Sequence, residues 1–186
     1  VTFVVMLAVA LITGQLTAGL RRQADESATE ALRTRALYEM ARDLSGALMV
    51  EQVVEITRNF LRHVLGADAT VLLSDNAGAL HAVAYAVVGR ESARLQIEPR
   101  LAEMAFSSGA PVECGPLGGA GFAMLYLPLK APMRVRGVVA VAPVDGDAYE
   151  LLAQRQRLET MASLVAIAIE RVHYVDVAQR TQVQMV

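Results

Sequence analysis

The first twenty residues, VTFVVMLAVALITGQLTAGL, contain no charged side chain. A bilayer core takes about 20 mostly apolar helical residues at about 1.5 Å rise each, so residues 1–20 are long enough to cross one. Thr2, Thr13, Gln15 and Thr17 are polar, and a helix carries such groups in lipid near its ends or against another helix. Arg21 and Arg22 follow at once, as expected of a cytoplasmic flank. A secretory signal peptide would show a charged start, a shorter apolar core and a cleavage site, and this stretch has none of them. The expectation is a transmembrane helix over residues 1–22, cut from a larger protein with further helices upstream.

The remainder has the size of one globular domain. The whole chain has 186 residues, 54% of them hydrophobic and none of them tryptophan, so the core is built from small aliphatic side chains. A net charge of -2, with no basic stripe to neutralise phosphates, gives no reason to expect nucleic acid as a partner. The single cysteine, Cys114, cannot form an internal disulfide, which fits a reducing compartment.

Residues 23–46 mix arginines with acids and hold no Pro or Gly before Gly46. Leu32, Ala36, Leu37, Met40 and Leu44 recur at helical spacing, so this leading helix continues the membrane span and has one apolar stripe. A second helix is expected from Val50 to Leu65, burying Val53, Val54, Ile56, Phe60, Leu61 and Val64, with Gly66 as its stop. The period then becomes strand-like. The run 69–74 (ATVLLS), the turn cluster Asp75-Asn76-Ala77-Gly78 and the run 80–87 read as a hairpin.

Pro99 opens a third helix that Gly109 ends. Residues 109–121 collect Gly109, Pro111, Gly115, Pro116, Gly118, Gly119 and Gly121 and read as a loop suited to binding. Residues 122–130 and 134–143 form a second hairpin around Ala131-Pro132-Met133. A closing helix runs from Ala148 to the end. Along it Leu158, Met161, Val165, Ala168, Val172 and Val175 alternate at three and four residues, a heptad seam that points to a second protomer. Leu151, Leu152, Leu164 and Ile169 lie elsewhere on it and are left for its own sheet. The fold class is α+β, a mostly antiparallel sheet flanked by helices.

The order of elements resembles the GAF fold. The run Leu125-Tyr126-Leu127-Pro128-Leu129-Lys130-Ala131-Pro132, followed by Gly137-Val138-Val139-Ala140-Val141, resembles the GAF domain of KdpD-type sensor histidine kinases. So do Arg155-Gln156-Arg157-Leu158-Glu159 and Ala166-Ile167-Ala168-Ile169-Glu170-Arg171 on the closing helix. Leu37-Tyr38-Glu39-Met40-Ala41-Arg42-Asp43-Leu44 is similar to that family's leading helix. Thr17-Ala18-Gly19-Leu20-Arg21 is similar to the end of its last membrane helix. Where the family often carries a tryptophan, this chain has Met104-Ala105-Phe106.

The resemblance implies four parts. They are a membrane helix (1–22), a linker and leading helix (23–46), a GAF-like sensory domain (47–175) and the start of a helical linker (176–186) to a kinase core that would follow. It also implies a bacterial inner membrane, with the GAF domain in the cytoplasm, and a homodimer through the leading and closing helices. The parent would phosphorylate a response regulator and control potassium uptake under potassium limitation or osmotic stress. ATP and Mg2+ would serve the kinase core, and no cofactor is expected within the 186 residues.

No catalytic set is legible. His63, His81 and His173 lack the acidic neighbour and Thr/Pro pair of a phosphoacceptor helix, and they do not combine with acids at metal-binding spacing. Gly118-Gly119-Ala120-Gly121 precedes a strand rather than a helix, the wrong context for a phosphate cradle. Cys114 has no base or cation beside it in sequence, so it reads as an ordinary loop residue. The alternative to a relay is a small-molecule, nucleotide-like ligand domain. Tyr85, Phe106, Met124 and Tyr126 would line its pocket, being aromatic or soft and close to the variable loop.

Overall fold

The computed structural model describes residues 34–75, 77–83, 97–115, 124–144 and 153–183. The chain divides into two compact units, Val1–Tyr38 and Glu39–Val186. The span expected over 1–22 lies outside the described residues. Among the described residues, no helix is long and apolar enough to cross a membrane.

The elements run in the expected order, with one addition. They are α1 (34–46), α2 (Val50–Val64), β1 (Ala67–Ser74), β2 (Leu80–Ala82), α3 (Pro99–Ser108), β3 (Val112–Cys114), β4 (Met124–Lys130), β5 (Val135–Pro143) and α4 (Arg155–Val183). The addition is β3, three residues inside the stretch read as a loop. It pairs antiparallel with the start of β4, Val112 opposite Tyr126 and Cys114 opposite Met124. All five strands form one antiparallel sheet in the order β2-β1-β5-β4-β3.

Local chemistry accounts for the boundaries. Gly66 and Gly109, the expected helix stops, both have φ near +59°, a left-handed conformation that costs glycine little. At the β1–β2 turn, Asp75 Oδ1 accepts the backbone N–H groups of Ala77 (2.8 Å) and Ala79 (2.9 Å), and Oδ2 meets His81 Nε2 at 2.9 Å. At the β4–β5 turn the N–H of Ala131 donates to the carbonyl of Arg134. Pro128 lies in β4 beyond the reach of β3, on an edge that proline tolerates.

Successive strand residues face opposite sides, so register fixes two buried layers. On one side Leu72, Met124, Tyr126, Val138, Ala140 and Ala142 pack with Ala102 and Ala105 of α3. On the other side Ala69, Val71, Leu125, Leu127, Leu129, Val139 and Val141 are buried, and α2 and α4 pack on the sheet. On α2, Val53, Val54, Phe60 and Leu61 are buried as expected, while Ile56 and Val64 are half-buried. Thr57 is buried too, and its hydroxyl donates to the carbonyl of Val53 at 2.7 Å.

Gly137 lies opposite Leu73 in the β1–β5 ladder. A Cβ there would stand 2.0 Å from the carbonyl oxygen of Leu72 and 3.0 Å from Leu73 Cα. That obstacle is backbone in the middle of a sheet and cannot rotate away. Gly137→Ala is expected to destabilise the domain by about 2 kcal/mol or more, the range of overpacked cores, as a lower urea midpoint at unchanged slope.

Candidate functional site

Of the four side chains expected to line a ligand pocket, Tyr85 lies outside the described residues. The other three come together, but largely as core. Met124 and Tyr126 are buried, and Phe106 is half-buried against the same cluster. The Tyr126 hydroxyl accepts the backbone N–H of Glu98 at 2.9 Å, at the start of α3. Burial pushes this phenol above its ordinary pKa.

The heptad seam of α4 also turns inward. Leu158, Met161, Val165, Ala168 and Val172 are buried within the single chain, where α4 packs on β4, β5 and α2. Only Val175 is exposed. The expectation that this seam faces a second protomer is therefore corrected: its buried residues cover the sheet. Among the described residues, the large apolar side chains that α4 leaves outside are Ile167, Tyr174, Val175 and Val177, with Ile167 at 53% and Tyr174 at 56% exposure. Ile167 and Tyr174 are seven residues apart and share one face of the helix.

The polar groups that stand out sit where α4 leaves the packed domain. Ile169, Glu170 and Val172 are buried, whereas Tyr174, Val175 and Val177 are exposed. The carboxylate of Glu170 pairs with Nε of Arg136 on β5, with side-chain exposures of 9% and 10%. The Arg136 guanidinium holds the Glu170 carboxyl below the usual carboxylate range, and burial opposes it.

Arg171, the next residue, turns to a different partner. Its guanidinium donates to the main-chain carbonyls of Leu44 (2.8 Å), Ser45 and Ala47 (2.8 Å), which end α1 and begin the link to α2. The last carbonyls of a helix have no partner within it, and a cation there also meets the negative end of the helix dipole. The N–H groups of the same link are taken from the other side. Gln52 Oε1 accepts those of Leu48 (2.8 Å) and Met49 (3.3 Å). Neighbouring residues on α4 thus hold the sheet and the end of α1.

The sequence places Glu170 and Arg171 in a family-like run without pointing to their partners, yet it carries a signal for the ion pair. Arg136 and Glu170 are charges set inside apolar runs, VRGVVAVA and AIAIERV. Such a charge requires a partner when its neighbours are buried.

A cleft of about 800 Å3 opens beside this junction, lined among others by Met49, Leu73, Phe106, Arg136, Ile169 and Val172. Among the described residues, no group of three or more His, Cys, Asp or Glu is placed to hold a metal ion. Cys114 lies half-buried on β3 at the sheet edge, with Sγ 3.8 Å from the carbonyl oxygen of Gly115.

The model of the GAF domain family matches residues 49–171. The chain belongs to the GAF domain family. This chain is 32% identical over 170 residues to the sensor protein KdpD of Escherichia coli K12, across 91% of this chain and 18% of that protein. It is 27% identical over 177 residues to the sensor protein KdpD of Clostridium acetobutylicum, across 92% of this chain and 19% of that protein. The chain therefore spans less than a fifth of the length of these relatives.

Among solved structures, it resembles the native GAF domain of the potassium sensor histidine kinase KdpD from Escherichia coli. The TM-score is 0.64 at 27% identity, covering 78% of this chain and 99% of the other. The GAF domain of an Acinetobacter phosphoenolpyruvate-protein phosphotransferase shares the fold, with a TM-score of 0.59 at 15% identity over 77% of this chain and 96% of that one. The resemblance to KdpD-type GAF domains that was read from the LYLPL hairpin and the closing helix agrees with these relatives.

The Glu170 pair carries a pH signature. Its folded pKa lies below the ordinary value of 4.5, so its stabilisation is complete above that value and disappears as pH falls through the lowered one. Urea midpoints measured between about pH 3 and pH 6 should fall on acidification, and more shallowly for Glu170→Gln. Asp75, also lowered by its bonds to His81 and the turn amides, leaves some acid dependence in both proteins.

Proposed function

We propose that this chain is the sensory relay module of a KdpD-like membrane sensor histidine kinase. The observation that carries this reading is the match to KdpD sensor proteins along 91% and 92% of the chain. In this reading residues 1–20 form a membrane helix in the bacterial inner membrane, and the GAF domain lies in the cytoplasm. Potassium limitation or osmotic stress would set the state of the module. α4 would pass that state to a kinase core that uses ATP and Mg2+ to phosphorylate a response regulator.

The exposed faces support a homodimer through the leading and closing helices. A shallow groove between α1 and α4 is lined by Ala41, Leu164, Ile167 and Ala168, with Arg171 at its edge. Ile167 and Tyr174 are the large apolar side chains that α4 offers on that side of the buried seam.

Two experiments test the reading. Exchanging this chain for the matching segment of Escherichia coli KdpD should keep an output that changes by about fivefold or more between low and high potassium, the lower end of ordinary coupling. A chimera that inserts and autophosphorylates but gives one constant output would overturn it. For the dimer, Ile167→Glu should weaken association in sedimentation while the fold persists. Val165→Glu should instead unfold the protomer, because an unpaired carboxylate in the core costs about 4 kcal/mol or more.

A further inference from the structure

We propose that Glu170 and Arg171 form a tandem latch that ties the position of α4 to β5 and to the end of α1 at the same time. This deepens the relay reading. The coupling is measured without kinase output, so the latch and the relay can fail separately.

The geometry starts from adjacency. Consecutive helical residues project about 100° apart, so one short stretch of α4 grips two elements in two directions. Glu170 holds Arg136 in a nearly dry environment. Arg171 holds three carbonyls at the end of α1 through its guanidinium. Arg136 and Glu170 are 34 residues apart in sequence, and Arg171 and Leu44 are 127 apart, so α4 joins segments that are otherwise distant along the chain.

A turn or slide of α4 large enough to release one grip carries the adjacent residue with it and strains the other. The two contacts therefore open together rather than in sequence. Location adds to this. The latch lies beside the buried Ile169 and Val172 of α4, just before the exposed Tyr174, Val175 and Val177. The cleft beside it, lined by Arg136, Ile169 and Val172, gives α4 room to move without driving side chains into a packed layer.

Arg171 is suited to this role in a way that lysine is not. Three carbonyls in an arc match the rigid fork of a guanidinium, whereas an ammonium is a single point with rotating donors. Glu170 is similarly specific. Glutamine keeps the size and one acceptor oxygen but loses the charge that holds Arg136.

Hydrogen exchange on the full 186-residue chain in lipid nanodiscs tests the latch. In Arg171→Lys the amides of residues 42–47 should exchange about tenfold faster, because their local opening becomes easier. The decisive variant is Glu170→Gln, which leaves every contact of α1 in place. There the same amides should still exchange about fivefold faster or more, the size of an ordinary coupling between sites.

The amides of Val139–Val141 at the centre of the sheet report whether the fold is intact. If they stay protected in Glu170→Gln while residues 42–47 remain within about twofold of the parent, there is no coupling and the proposal fails. If Glu170→Gln loses sheet protection, the double variant Arg136→Met with Glu170→Leu fills the same space without charge and takes its place. Faster exchange at residues 42–47 with a protected sheet supports the latch, and unchanged exchange overturns it.

Discussion

β5 is buried on both faces, and the rest of the domain follows from covering it twice. From Gly137 to Ala142 the strand carries only Gly, Val and Ala, so neither face projects far. Short side chains let β1 and β4 flank it and let helices close on both sides. Such a strand reads as a near-continuous apolar run rather than an alternating one. At Gly137 the carbonyl of Leu72 occupies the space of a side chain. α3 covers one face and α2 with α4 the other, and α4 has no choice but to spend its apolar stripe inward.

Against so apolar an interface, the Arg136–Glu170 pair is poor glue. Desolvating two charges costs about as much as their attraction returns, and a well-packed apolar pair of similar volume would serve stability as well or better. What the pair supplies is direction. Apolar packing is non-directional, so it fixes the rotation of a helix only through shape. A buried carboxylate accepts only the rotation that meets its guanidinium. Arg171 adds a second fixed point by completing the main-chain hydrogen bonding at the end of α1, which Gln52 completes from the other side.

The parts of the fold that were legible in the sequence are those governed by neighbours along the chain. Asp75 and Gly78 mark a turn because their chemistry acts over four residues, and Gly109 stops α3 because the next backbone conformation is left-handed. The α4 seam shows where locality ends. An apolar stripe at three- and four-residue spacing says that a helix face is covered, and a sheet covers it as well as a second helix does. β3 was hidden for the same reason. Its three residues carry no periodicity, and only pairing with β4 makes them a strand. Tyr126 looked available because an aromatic near a glycine-rich loop often lines a pocket. Strand parity places it with Val138 and Ala140 inside a packed layer, its hydroxyl taken by Glu98.

The same packing limits how the domain can carry a signal. Layers filled at crystal-like density do not deform gradually; they hold one arrangement or switch to another. A sheet with β5 dry on both faces and Gly137 pressed against Leu72 has little to give. Past Val172 the side chains of Tyr174, Val175 and Val177 are exposed, and a cleft of about 800 Å3 is lined by Ile169, Val172 and His173. The element with open space beside it is therefore the helix and not the sheet. In the proposed relay the sheet would be the fixed reference, and the orientation of α4 against it, set at Glu170 and Arg171, would be the variable that leaves the domain.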